Sequence, residues 1–498
     1  MSDAYSVHPT YMPGFDPLVF GGLPRGSVTI VSGTPGAGKT IFGTSFLAGG
    51  IQRDGEAGVM VTFEESPDRI RRSMAGFGCD IEAWEDEGTW AFVDASPRPQ
   101  EGRLVQGGDF DLGGFVARVE RAVSRTGAKR IVLDSLTAVL GRFDDASKIR
   151  YEMFRVAEAL RGMGVTSIIT AERLEETSDL PRFGVEDFVA DAVVILRNRL
   201  DVEKRRRTIE ILKMRGADHH KGEFPFTITP EHGLTTLPVV AMDLGQFSSE
   251  TRVSSGVSGL DSMLGGGLFE GSSSLVSGAT GCGKTLITAH FAGATQPGER
   301  CLLFGYEESR DQLVRNAGSW GLDFPAMEDD GRLRIIARYP EAAGIERHLQ
   351  LIQDEVNEFK PRRVVIDSLS ALERVSSQKS FREFVVALTG LLKQDQVTTL
   401  LTLTTPTLMG GASVTEGHIS SIADAIVLLR YVEIAAEVHR GVTVLKMRGS
   451  GHAKQIKEFS IGDSGMTVGQ PFRNISGILA GRPVYGEPED RMDQIFDA

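Results

Sequence analysis

The sequence predicts an α/β protein of two tandem domains, each a mostly parallel sheet with helices over both faces. Three observations carry that prediction. A stretch of about 240 residues repeats, short β-branched runs alternate with helix-length segments inside each copy, and a Gly-rich turn follows a strand-like run at the same place in both.

The repeat is direct. "GFDPLVFGGLPRGSVTIVSGTPGAGKT" returns as "GLDSMLGGGLFEGSSSLVSGATGCGKT", so that Asp16 maps to Asp261 and Lys39 to Lys284, an offset of 245. "FEES" from residue 63 matches "YEES" from 306, and "VLDSL" (Asp134) matches "VIDSL" (Asp367). "LKMRG" occurs twice unchanged, with Lys213 and Lys446. A unit of this length is a domain rather than a solenoid repeat. The expected division is 1–245, 246–484 and an acidic tail 485–498, with the join in the polar stretch "GQFSSETRVSSG".

Within the first copy the strand candidates in order are "SVTIVSG", "GVMVTFEE", "RIVLDS", "TSIITAE" and "DAVVILR". Each is short, rich in Val, Ile and Thr, and nearly continuous in apolar character, as strands buried on both faces are. Ligand groups of such a sheet are expected at the carboxyl ends of its strands. The first copy also carries about ten extra residues in "DASPRPQEGRLVQGGDFDLGG" (94–114), a Gly- and Pro-bearing loop that serves either as a partner contact or as a tolerated insertion.

Bulk properties narrow the function classes. At 498 residues each copy is long enough to bury its own core. A net charge of −13 offers no attractive field to a phosphate backbone, so nucleic acid is not an expected partner. The basic run "KRRR" at 204–207 fits a solvated or interface hairpin in so acidic a chain. Cys79, Cys282 and Cys301 are widely spaced, which argues against a disulfide framework or zinc site and suits a reducing cytoplasm. The N-terminal stretch lacks a signal-peptide pattern and no apolar run reaches membrane-spanning length, so the expected location is cytoplasmic.

The chemistry resides in four doubled motifs. "GTPGAGKT" and "GATGCGKT" fit G-x-x-x-x-G-K-[ST] after a strand. Gly36, Gly38, Gly281 and Gly283 let backbone N–H groups curl around phosphate oxygens. Lys39 and Lys284 then reach the β- and γ-phosphates, and Thr40 and Thr285 are placed to hold Mg²⁺. Asp134 and Asp367 close apolar strands where a second carboxylate orients the magnesium shell. Glu64–Glu65 and Glu307–Glu308 end the strand after each phosphate loop and can take a proton from an attacking oxygen; Glu307 is a further candidate for the metal. One member of each pair is expected to hold its proton tightly, because adjacent carboxylates ionise together with difficulty. Lys213, Arg215 and His219 recur as Lys446, Arg448 and His452, cations that either stabilise transferring phosphate or form an exposed basic turn. One difference stands out. "EGHISSIADA" carries Ser420 and Ser421 where "VEDFVADA" has Asp187 and Phe188.

Together these residues resemble the KaiC family of clock ATPases, with a match running from about residue 10 to about 485. The resemblance implies two tandem RecA-like P-loop NTPase domains in a homohexameric double ring, with ATP and Mg²⁺ at subunit interfaces. It implies that the two Lys-Arg-His sets contact the neighbour's nucleotide, that Arg440 contacts nucleotide, and that Trp320 stacks beside the second adenine. It implies slow ATP hydrolysis in the first domain, and autokinase and reverse phosphotransfer in the second, with Ser420 and Ser421 as acceptors. The loop near 98–112 corresponds to the docking region of a KaiB-like partner. Three departures modify the expectation. The acceptor pair is Ser-Ser rather than Ser-Thr, with Thr415 nearby. The tail "GEPEDRMDQIFDA" does not match the segment that a KaiA-like activator captures. An hourglass timer is therefore an alternative to a daily oscillator. Two rival readings are a RecA-type DNA motor, against which the net charge argues, and a nucleotide-gated scaffold without kinase activity.

Overall fold

A computed structural model describes residues 6–96, 112–135, 146–173, 189–201, 203–237, 249–405, 419–434, 436–473, 475–478 and 484–485. The chain forms two compact units, Met1–Ala241 and Met242–Ala498.

Each unit is built on a nine-stranded sheet. In the first, the strands are β1 (Val28–Gly33), β2 (Gly58–Thr62), β3 (Trp90–Asp94), β4 (Arg130–Asp134), β5 (Thr166–Glu172), β6 (Ala192–Asp201), β7 (Lys204–Met214), β8 (Glu223–Thr229) and β9 (Gly233–Thr236). The spatial order is β9-β8-β7-β6-β1-β5-β4-β2-β3. From β3 to β6 every pairing is parallel, and β7 to β9 extend the sheet as an antiparallel meander. Helices α1 (Lys39–Gly49), α2 (Pro67–Ala75), α3 (Ile81–Asp86), α4 (Leu112–Thr126) and α5 (Ala146–Gly162) supply connections between the parallel strands.

The two-residue period of the strands divides the core between the two faces. Ile131 and Leu133 of β4 pack with Phe115 and Val119 of α4 and with Met153 and Leu160 of α5. Val132, between them, points the other way and packs with Phe42 and Phe46 of α1. Both faces are therefore dry, which explains why these strands read as unbroken apolar runs.

The second unit repeats the plan with β10 (Ser273–Gly278), β11 (Cys301–Gly305), β12 (Leu333–Ala337), β13 (Arg363–Asp367), β14 (Thr398–Thr404), β15 (Ala425–Ile434), β16 (Glu437–Met447), β17 (Lys457–Gly462) and β18 (Gly465–Pro471). Its order, β18-β17-β16-β15-β10-β14-β13-β11-β12, is the same topology. Its helices are α6 (Lys284–Gly293), α7 (Arg310–Ser319), α8 (Phe324–Asp329), α9 (Ile345–Phe359), α10 (Leu369–Arg374) and α11 (Gln378–Gln394), all but α10 matching a described helix of the first unit. Two nine-stranded, mostly parallel sheets flanked by helices are the tandem RecA-like architecture read from the sequence.

The matched Asp residues at the front of each copy act as local clamps. Asp16 accepts from the backbone N–H of Thr10 and Tyr11, and Asp261 from that of Ser255. No helix among the described residues is long and apolar enough to cross a membrane. All three cysteines are buried and free of disulfides.

Candidate functional site

At the carboxyl edge of each sheet, β1 and β10 run into the phosphate loop, and the helix that follows opens at its lysine. Gly38 and Gly283, at φ +103° and +106°, cap α1 and α6. Only glycine adopts that conformation without strain, so the loop can curl with its N–H groups inward at the positive end of a helix. Lys39 Nζ donates to the carbonyls of Gly33 (2.9 Å) and Thr34 (3.1 Å). Lys284 Nζ makes the same bonds to Gly278 (3.0 Å) and Ala279 (2.9 Å).

The two aspartates meet the loop threonines. Thr40 Oγ1 donates to Asp134 Oδ2 at 2.6 Å, and the other oxygen of Asp134 is held by Thr170 of β5. In the second unit Thr402 Oγ1 donates to Asp367 Oδ1 at 2.5 Å, and Thr285 is a second side-chain partner of that carboxylate. Burial pushes the Asp367 carboxyl above its usual range, against the lowering effect of Thr402 and Thr285. Hydroxyl and carboxylate oxygens so placed suit a hard cation such as Mg²⁺.

The glutamate pairs begin two residues after β2 and β11, in the bends beside these aspartates. Partial burial of its carboxylate, then the charges of Glu172 and Asp134, raise the pKa of Glu64. In the second unit the raised member is Glu308, through burial and the charge of Asp367, while Asn316 Nδ2 donates to it at 2.8 Å and pulls the other way. Glu307 is paired with Arg374 at 3.3 Å, and Glu65 lies 3.7 Å from Arg69. Arg440 also belongs to this edge. It stands across from Tyr431 on β15, its guanidinium 5.8 Å from the ring, and the Tyr431 hydroxyl donates to the loop carbonyl of Thr280 at 3.3 Å.

The remaining candidates are at the opposite, amino edge. Ala425 pairs with Ser274 and Leu429 with Gly278, so the start of β15 lies about 13 Å of strand away from the phosphate loop of its own unit. Ser420 and Ser421 form a 3₁₀ turn just before that start, Ser421 exposed and Ser420 half-buried. Lys446 and Arg448, at the end of antiparallel β16, grip this turn. Lys446 Nζ donates to the carbonyls of Ser420 (2.8 Å) and Ala423 (2.7 Å), and Arg448 Nη2 to that of Ser421 (2.6 Å). Lys213 Nζ holds Ala190 in the same way at 2.8 Å. The repeated "ADA" thus has a structural cause. Asp191 and Asp424 each accept the N–H of the first residue of the loop strand, Val28 and Ser273, at 3.0 Å. His219 is buried, its Nε2 accepting from Lys221 at 2.8 Å, and His452 is half-buried beyond Arg448. Lys213 and Lys446 are the next-to-last residues of β7 and β16. Trp320 caps the far end of α7, about 15 Å of helix from the glutamates where α7 begins. Asp187, Phe188, Thr415 and most of the 98–112 loop lie outside the described residues.

The motif for KaiC ATPases matches residues 8–239 and again 253–472. The chain belongs to the KaiC family. It is 55% identical over 491 residues to the circadian clock protein KaiC3 of Synechocystis sp., covering 98% of this chain and 97% of the relative. It is 52% identical to the circadian clock oscillator protein KaiC of Thermosynechococcus vestitus (97% and 93% covered) and 50% identical to that of Synechococcus elongatus (95% and 91%). As a KaiC-family chain it carries two ATPase domains, one on each sheet.

One member of the first carboxylate group escaped the sequence reading. Glu172 ends β5 beside the loop, and its strand lacks an acidic counterpart in the second copy, so comparing the repeats for shared residues passes over it.

Proposed function

We propose that this KaiC-family chain is an ATP-driven timing protein. The first domain hydrolyses ATP slowly and the second transfers phosphate to Ser420 or Ser421 and back, within a hexameric double ring. The observation that carries the reading is the separation of edges. Phosphate loop, Asp and Glu pair share the carboxyl edge, whereas the serines and the Lys-Arg cations lie at the amino edge, far from their own loop. Neither set is complete within one unit, so each nucleotide would be served by its own loop and by a neighbour's Lys446 and Arg448, or Lys213 and Arg215.

Thr40 with Asp134, and Thr285 with Asp367 and Glu307, would hold Mg²⁺, which when bound neutralises phosphate charge. Glu64 would take the proton from a water in the first domain, and Glu307 or Glu308 that of a serine hydroxyl in the second. Gly36, Gly38, Gly281 and Gly283 would cradle phosphates, Arg440 would support the second, and Trp320 would pack against a neighbour's adenine. The new phosphate would form beside Lys446 and Arg448, whose charge-assisted bonds to it would compete with those that now hold the turn. A KaiB-like protein is the proposed partner of the first domain at 98–112, and the cytoplasm the proposed location.

Mixed rings test this. Chains carrying Lys284→Ala are incubated with Mg·ATP alone, then together with chains carrying Ser420→Ala and Ser421→Ala. Phosphate on the serines of the Lys284→Ala chain only in the mixture is the expected result. Phosphate on those serines in the Lys284→Ala chain alone would overturn the reading.

A further inference from the structure

The strands β5 ("TSIITAE") and β14 ("TTLLTLT") share the threonine that faces the site aspartate, and at the last residue one ends on a carboxylate and the other on a hydroxyl. Thr170 and Thr402 both donate to the site aspartate. Two residues on, Glu172 pairs with Gly33 and Thr404 with Gly278, the glycines whose carbonyls receive the loop lysines. Residues two apart in a strand share a face. Glu172 therefore stands on the face where Thr170 meets Asp134, one step further toward the loop. Among the charged neighbours that raise Glu64, Glu172 is the foremost.

We propose that Glu172 is the residue that makes the first domain a hydrolase, by accepting a hydrogen bond from the attacking water and aiming its oxygen at the γ-phosphorus. The proposal rests on the assignment of hydrolysis to the first site. In the step, the water oxygen forms the new bond to phosphorus while the bridging bond to the γ-phosphorus breaks, its electron pair remaining on ADP. One water proton passes to Glu64, and the other stays on oxygen and points at Glu172. Thr404 offers the second site a hydroxyl that is itself a donor and no anionic acceptor. Water there is not held against a serine hydroxyl arriving from a neighbour, so phosphate transfer to protein is preferred.

The test uses the full chain with the second site silenced by Lys284→Ala, measuring phosphate release against ATP concentration. Glu172→Gln is expected to lower kcat at least about tenfold with KM little changed, the signature of an interaction made in the transition state. The reciprocal variant, Thr404→Glu with the first site silenced by Lys39→Ala, is expected to raise phosphate release several-fold and to reduce phosphate on Ser420 and Ser421. Glu64→Gln in the Lys284→Ala chain serves as reference. If it abolishes release while Glu172→Gln leaves kcat unchanged, the role of Glu172 is overturned and the hydrolytic site stands. If Glu64→Gln also leaves release intact, the site assignment itself falls.

Discussion

Burial of its carboxylate and the nearby charges of Glu172 and Asp134 make Glu64 hold its proton more tightly than an ordinary glutamate. A base acts only when deprotonated, so the activity of the first domain is expected to fall as pH drops through a value above the usual carboxylate range. Glu172→Gln removes a like charge, lowers the proton affinity of Glu64, and shifts that acid limb to lower pH. Profiles of kcat/KM in the Lys284→Ala chain check both the limb and its shift; a limb that stays in place would uncouple the two residues. The doubled "EE" announced paired carboxylates in the sequence. It did not say which member is raised, and the answer differs between copies: Glu64 in one, Glu308 in the other. That choice depends on the burial of each carboxylate and on the charges beside it, Glu172 and Asp134 in one site and Asp367 in the other, which are distant in sequence.

At the scale of elements, β4 and β13 open on the same residue type with different surroundings. Arg130 is fully buried, its guanidinium 4.8 Å from the Phe46 ring, and it pairs with Asp54 at 2.6 Å and Glu56 at 2.8 Å. Arg363 lies equally over Phe291 and bonds the carbonyls of Ser254 and Phe291, but its nearest carboxylate, Glu299, is 3.8 Å away. Burial accordingly lowers the proton affinity of Arg363. Removing one partner of a buried pair leaves the other charge uncompensated. Arg130→Ala is expected to cost about 3–5 kcal/mol and Arg363→Ala about 1–3 kcal/mol, read from urea unfolding of the two single variants. Equal losses would show that the carboxylates contribute nothing beyond the shared packing. The strands that open on these arginines were legible from their apolar runs. The pairing of Arg130 with Asp54 and Glu56 was not, because it joins residues over 70 positions apart.

For the whole molecule, the repeat exposed the duplication, both phosphate loops and both strand-end aspartates, because each is a local pattern that occurs twice. That the serines and the Lys-Arg cations lie at the opposite edge of the sheet from the phosphate loop was hidden, since it follows from strand register. The sequence places "KMRG" and "HISS" after the loop without saying which end of the sheet they reach, and the pairing of Ala425 with Ser274 puts them at the amino edge. That register makes the two copies separable by experiment. With each site dependent on its own loop and glutamates, Lys284→Ala or Glu307→Gln is expected to abolish phosphate on Ser420 and Ser421, whereas Glu64→Gln lowers bulk ATP hydrolysis and leaves that phosphate in place. Mass spectrometry after incubation with Mg·ATP, beside a phosphate-release assay on the same samples, reads both quantities. Strong stimulation of hydrolysis by single-stranded DNA in those assays would instead favour a motor, an outcome that the charge of −13 argues against. The decisive contrast lies between Glu64→Gln and Glu307→Gln, two substitutions at matched positions in matched folds. If both erase serine phosphate equally, the acceptor difference between Ser420–Ser421 and Asp187–Phe188 does not divide the labour between the domains.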